Sequence, residues 1–118
     1  MSSFAEKLYE KKSFIYKVGN DYYAIGVNTF TKVTDSPEVD NIELLENALN
    51  KNNERQIVKY LEKISRIANT YRVDGKEHFK LKDRLIHFMD ELEKKDALAY
   101  KSLQEQVARV DALTSKYV

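Results

Sequence analysis

The chain has 118 residues, and its 20 lysines and arginines stand against 19 acidic residues for a formal charge of +1. That length suits one domain with a single modest core. The balanced charge and 42% hydrophobic content point to a folded chain and give no bulk support for phosphate coating. With no cysteine, a disulfide framework, a thiolate metal site and a cysteine nucleophile are all excluded, and a reducing compartment is the natural home.

The segment Met1 to Leu8 carries charges where a signal peptide needs an apolar run, and no stretch is apolar for long enough to span a bilayer, so a cytoplasmic protein is expected. Lysine outnumbers arginine 15 to 5 and asparagine occurs eight times. This bias suits an AT-rich genome, such as a low-GC bacterium or one of its phages or mobile elements.

Ser3 with Glu6 has the spacing of a capping box, and Phe4 and Leu8 then share one face, which predicts a short helix over roughly residues 3 to 12. Phe14, Tyr16 and Val18 alternate with Ile15 and Lys17 up to Gly19-Asn20-Asp21, a strand followed by a turn. Tyr22 to Val27 and Thr29 to Val33 are two further β-prone runs. Together they predict a three-stranded antiparallel meander, too small to be stable unless a helix covers one face.

Pro37 sits where Asp35 or Ser36 caps a helix, with Asp40 and Glu43 as an alternative start, and Val39, Ile42, Leu45 and Leu49 recur at helical spacing to about residue 50. Asn53 with Gln56 opens a second helix, whose stripe is Ile57, Leu61, Ile64, Ile67 or Ala68, and Tyr71, ending near residue 73 before the left-handed cap at Gly75. From about residue 76 to 117 there is no proline or glycine. Leu81, Leu85, Phe88, Met89 and Leu92 form one stripe, and Leu103, Val107, Val110, Leu113 and Tyr117 another, joined through Ala99 and Tyr100.

A continuous helix over that stretch measures about 60 Å, far more than the radius of gyration of about 13 to 14 Å expected for the domain. It therefore either overhangs and offers its stripe to a partner as a short coiled coil, or breaks at Glu93-Lys94-Lys95-Asp96, with Asp96 capping a new helix. The continuous or kinked form is preferred, because the residues before Asp96 are good helix formers. The fold expected is α+β: one domain over residues 1 to 118, a small meander packed against helices, with a long C-terminal helix continuous or kinked near residues 93–96.

Motifs for chemistry are sparse. His78 and His87 lie on opposed faces of one helix and cannot share a metal, and the carboxylates near His87 (Asp83, Asp90, Glu91) read as surface pairs. No glycine-flanked serine elbow, phosphate-cradling glycine loop or spaced calcium loop occurs. No catalytic residue, metal or cofactor is therefore implied, and an enzyme is not expected.

Tyrosine is the residue in surplus, with eight copies. Because Tyr22 and Tyr23 are adjacent in a strand, only one can point into the core, and the other becomes a contact candidate. Tyr100, Leu103, Val107, Val110, Leu113 and Tyr117 join them as partner-binding candidates if the last helix runs straight. The expected function is a non-enzymatic protein-binding module, plausibly a homodimer, of phage or mobile-element type, that inhibits, docks on or assembles with another protein.

A nucleic-acid-binding or transcription-modulating accessory protein is the alternative, using Lys11, Lys12, Lys76, Lys80, Lys82 and Arg84 if those clusters converge. The tract Val73-Asp74-Gly75-Lys76, with Phe79 and Leu85 following, resembles a short segment of the small duplex-DNA-binding accessory proteins of some large tailed phages. The strands have no counterpart there, and no function is transferred on it.

Overall fold

Runs of β-branched and aromatic residues between two tight turns make an antiparallel sheet, and the computed structural model, which describes residues 3–34 and 36–117, shows it directly. Strands β1 (Phe14–Val18), β2 (Asp21–Gly26) and β3 (Thr29–Val33) lie in the order β1-β2-β3. The first hairpin pairs Tyr16 with Tyr23 and Lys17 with Tyr22, and the second pairs Ile25 with Phe30 and Tyr23 with Lys32. Gly19 opens the first turn at φ 63°, the left-handed conformation that two-residue hairpin loops require at that position.

Around the sheet run helices α1 (Ser3–Glu10), α2 (Ser36–Asn50), α3 (Glu54–Asn69), α4 (His78–Lys95) and α5 (Ala97–Tyr117), with a 3₁₀ turn at Gly75–Glu77 before α4. Helices α1, α3, α4 and α5 pack on the strands, and α2 packs on α3. Phe14, Tyr16, Val18 and Ile25 are buried on one sheet face, and Ile15, Ala24 and Val33 on the other. The meander is therefore covered on both faces, more completely than the single helical cover that its size demands.

Local signals place several boundaries. Asn53 caps α3 by accepting from the Gln56 amide at 3.2 Å, and the α3 stripe buries Ile57, Leu61, Ile64 and Ala68, with Ile67 only half-buried. The helix stops at Asn69 and not near residue 73. The tertiary reason is that Arg72 forms a bridge with Thr29 and the Val73 amide donates to the Asn28 carbonyl at 2.8 Å, drawing the chain onto the outer edge of β3. The caps expected at Ser3 and at Asp35 or Ser36, the role of Pro37, and the side chains of Val39 and His78 lie outside the described residues.

The C-terminal third is kinked within the charged run, and its continuous form is not what the chain adopts. Asp96 has φ −145° and ψ 76°. Its amide closes α4 by donating to the Leu92 carbonyl at 2.8 Å, while its carboxylate accepts from the Ala99 amide at 3.1 Å and opens α5. A rod of about 60 Å gives way to two helices in a molecule of 38 × 33 × 27 Å.

The energetics favour this. Interrupting a helix at a capped aspartate costs on the order of 1 kcal/mol, whereas each apolar side chain fully buried contributes about 1.5–3 kcal/mol. The break lets Leu103 and Val107 enter the core at 0% and 4% exposure.

Polar contacts then fix α5. The Gln106 carboxamide accepts from the Lys17 amide at 2.8 Å and donates to the Lys17 carbonyl at 2.7 Å, filling edge sites of β1 that another strand would use. Arg109 grips Glu46 of α2 through two bonds of 2.8 and 3.0 Å, and Lys11 pairs with Asp111 at 2.8 Å. Among the described residues no helix is long and apolar enough to cross a membrane.

The connection from α1 to β1 crosses directly over Gly26. A Cβ there would lie 2.4 Å from the Ser13 Cα and 2.9 Å from the Lys11 carbonyl oxygen. The Val27 amide donates to that same oxygen at 2.8 Å, Ser13 Oγ donates to Thr29 Oγ1 at 2.9 Å, and Ser65 Oγ of α3 donates to the Ser13 carbonyl at 2.8 Å. Ser13, Thr29 and Ser65 are all buried, where an unmade bond is costly.

Gly26→Ala is expected to lower stability by about 1–3 kcal/mol, because backbone and not a flexible side chain must move. Urea unfolding would show this as a lower midpoint. Tyr16, at 2% exposure, supplies a pH dependence. Burial, and secondarily the charge of Asp111, raises its phenol well above the ordinary range.

The unfolded chain loses that proton near pH ~10 while the folded chain keeps it, so its contribution is complete below pH ~10 and falls by up to about 1.4 kcal/mol per pH unit above it. Tyr16→Phe should flatten the decline in unfolding free energy measured above that pH. An unchanged slope would contradict this origin.

Candidate interaction groove

Tyr23 and Phe30 lie on one face of the sheet as diagonal neighbours, since Phe30 is opposite Ile25 and Tyr23 is two residues before it. Their rings stack with centroids 6.0 Å apart and planes inclined by 26°. Phe88 projects from α4 onto both, 5.1 Å from Tyr23 and 5.2 Å from Phe30. The three rings form the floor of an open groove of about 570 Å³ between sheet and helix.

The rim comes from α4 at helical spacing. Asp83, His87 and Glu91 lie at i, i+4 and i+8, so one face of the helix presents them in a line along the groove. Arg84, one turn before Phe88, lays its guanidinium 5.7 Å from the Phe30 ring centroid. Glu91 also bonds Lys95 at 2.9 Å, and this hydrogen bond, followed by the lysine charge, lowers its carboxyl below the usual range. Asp83 makes no ion pair among the described residues.

Of the residues expected to contact a partner, Tyr23 belongs to this groove. Tyr22 is half-buried on the opposite sheet face, across from Lys17 and Val33. Tyr100, Leu103 and Val107 are core residues of the chain itself, with Tyr100 set edge-on to Phe4 at 5.8 Å. Val110, Leu113 and Tyr117 pack half-buried against the same core.

The stripe is consumed because α5 lies along β1 and does not overhang; the premise of an exposed coiled-coil seam goes with it. Phe30, Phe88 and the Asp83-His87-Glu91 line were not assigned a contact role from sequence. The helical spacing of Phe88 and of Asp83, His87 and Glu91 is visible in the sequence and Phe30 sits in a β-prone run, but nothing local places them beside Tyr23.

The basic candidates occupy separate settings. Lys11 and Lys12 border a cleft between α3 and α5, where Lys11 is held by Asp111. Lys76 lies in the 3₁₀ turn before α4, Lys80 is exposed and Lys82 half-buried on α4, and Arg84 is engaged with Phe30. Comparison of the chain with protein-family models, curated proteins and solved structures finds no match.

Floor and rim should separate energetically. Phe30→Ala, at a position 9% exposed, is expected to cost about 3 kcal/mol. Arg84→Ala should cost no more than about 1 kcal/mol, the range of a cation–π contact at an exposed site. Paired urea unfolding curves check the difference, and equal losses would mean that Arg84 is part of the core.

Proposed function

We propose that the chain is a cytoplasmic, non-enzymatic protein-binding module, an accessory protein of phage or mobile-element type that inhibits, docks on or assembles with another protein through the aromatic groove. The observation that carries this reading is the packed cluster of Tyr23, Phe30 and Phe88 lining an open groove between the sheet and α4. Such rings give a large contact area with little rotamer freedom to lose, and aromatic residues dominate interface hot spots.

The rim supports a protein partner over a nucleic acid. Asp83 and Glu91 place two carboxylates beside the rings, which disfavours phosphate, and the one rim arginine is already directed at Phe30. Self-association through the α5 stripe, expected from sequence, is not part of this reading, because that stripe is half-buried or buried.

A photo-crosslinking amino acid at exposed His87, compared with one at exposed Lys101 of α5, tests the proposal in cells that express the protein natively. A discrete adduct is expected from position 87 and not from 101, and the surface change Asp83→Arg should diminish it. Adduct mass distinguishes a second copy from another protein. No adduct, or the same adducts from both positions, would sink the reading.

A further inference from the structure

Away from the groove, the α1–β1 connection and α3 line two adjoining open cavities that share Lys12, Ser13 and Ser65, the larger of them also lined by the last turns of α5. The smaller, of about 230 Å³, is completed by Arg66 and Asn69, so its lining holds two cations and an amide but no carboxylate. Neither Lys12 nor Arg66 has an ion-pair partner among the described residues. The larger cavity, of about 460 Å³, has an apolar wall of Phe14, Leu61 and Val110, with Glu62, Thr114 and Ser115 as polar groups. Its other charges, Lys11 and Asp111, neutralise each other at 2.8 Å.

We propose that this double cleft binds a small phosphomonoester with a hydroxylated body, the phosphate between Lys12 and Arg66 and the body in the larger cavity. A cavity lined by two cations and no carboxylate suits a compact dianion, and charge-assisted hydrogen bonds to it are the strong kind. Arg66 lies in the last turn of α3, whose dipole presents about half a negative charge. Two full cations outweigh it.

The neighbouring cavity sets the rest of the ligand. Glu62 accepts hydrogen bonds from hydroxyls, Thr114 and Ser115 both donate and accept, and the apolar wall receives a carbon skeleton. Combined, the cavities fall in the size range of small-molecule sites, roughly 300–1,000 Å³. Glu62, which has no ion-pair partner among the described residues, would meet the next phosphate of a continuing strand, so the charge pattern selects a single phosphate over a nucleic-acid backbone.

Amide NMR titration of the full chain with inorganic phosphate, ribose 5-phosphate, ribose and a single-stranded oligonucleotide tests this. Ribose 5-phosphate should shift the signals of Lys12, Ser13 and Arg66 and bind about tenfold more tightly than inorganic phosphate, with ribose alone silent to roughly 10 mM. Lys12→Met and Arg66→Met, both at exposed positions, should each weaken both phosphates about tenfold. Glu62→Gln should weaken only ribose 5-phosphate.

The proposal is overturned by absence of localised shifts from either phosphate at about 10 mM. It is equally overturned by affinities unaltered in the variants, or by tighter binding of the oligonucleotide than of ribose 5-phosphate. Crosslinking at the aromatic groove is read out independently, so failure here leaves that reading in place.

Discussion

The crossing of the α1–β1 connection over Gly26 is the contact on which the rest of the arrangement rests. It brings the Lys11 carbonyl to the Val27 amide and the Ser13 hydroxyl to Thr29, and it presents the Ser13 carbonyl to Ser65 of α3. One short segment thus ties α1, the second hairpin and α3 together, and Ser13, Thr29 and Ser65 among its groups are buried and must be paired. A side chain at residue 26 would force that segment away and break the bonds together, since the nearest atoms are backbone. The adjacent turn extends the tie: Asn28 receives the Tyr9 hydroxyl on its side chain and the Val73 amide on its carbonyl.

The second determinant is where α5 goes. Once Asp96 ends α4, α5 runs along β1 and supplies both an apolar cover and a substitute for an edge strand through Gln106. An exposed strand edge invites pairing with other chains, and a carboxamide that fills both an amide and a carbonyl site blocks that route at Lys17. The same placement turns Tyr100, Leu103 and Val107 inward. At the sheet–α4 boundary Tyr23 and Phe88 are half-buried beside Phe30, which is 9% exposed.

The aromatic groove and the basic cleft differ in kind. The groove is open, with a ring-built floor and charges spaced along one helix, which is why a macromolecular partner is proposed for it. The cleft is bounded by three segments of chain and separates the cations Lys12 and Arg66 from an apolar wall and hydroxyls, which is why a small ligand is proposed for it. Only the cleft draws on α5, through Val110, Asp111, Thr114 and Ser115.

By itself the sequence determined what short-range physics controls. The alternation of Phe14 to Val18 and of the two following runs specified three strands, Gly19 specified a turn, and Asn53 and Asp96 specified helix starts through side chains that reach amides three residues on. The α3 stripe was legible for the same reason, although only packing chose Ala68 over Ile67.

Tertiary structure decided the rest. An apolar stripe from Ala99 to Tyr117 reads identically whether it faces another chain or its own sheet, and burial within the same molecule settled it. The end of α3 was set by pairing with Thr29, and the groove by three aromatics from β2, β3 and α4. These contacts join residues far apart in the chain, and no local periodicity encodes which distant partner a side chain will meet.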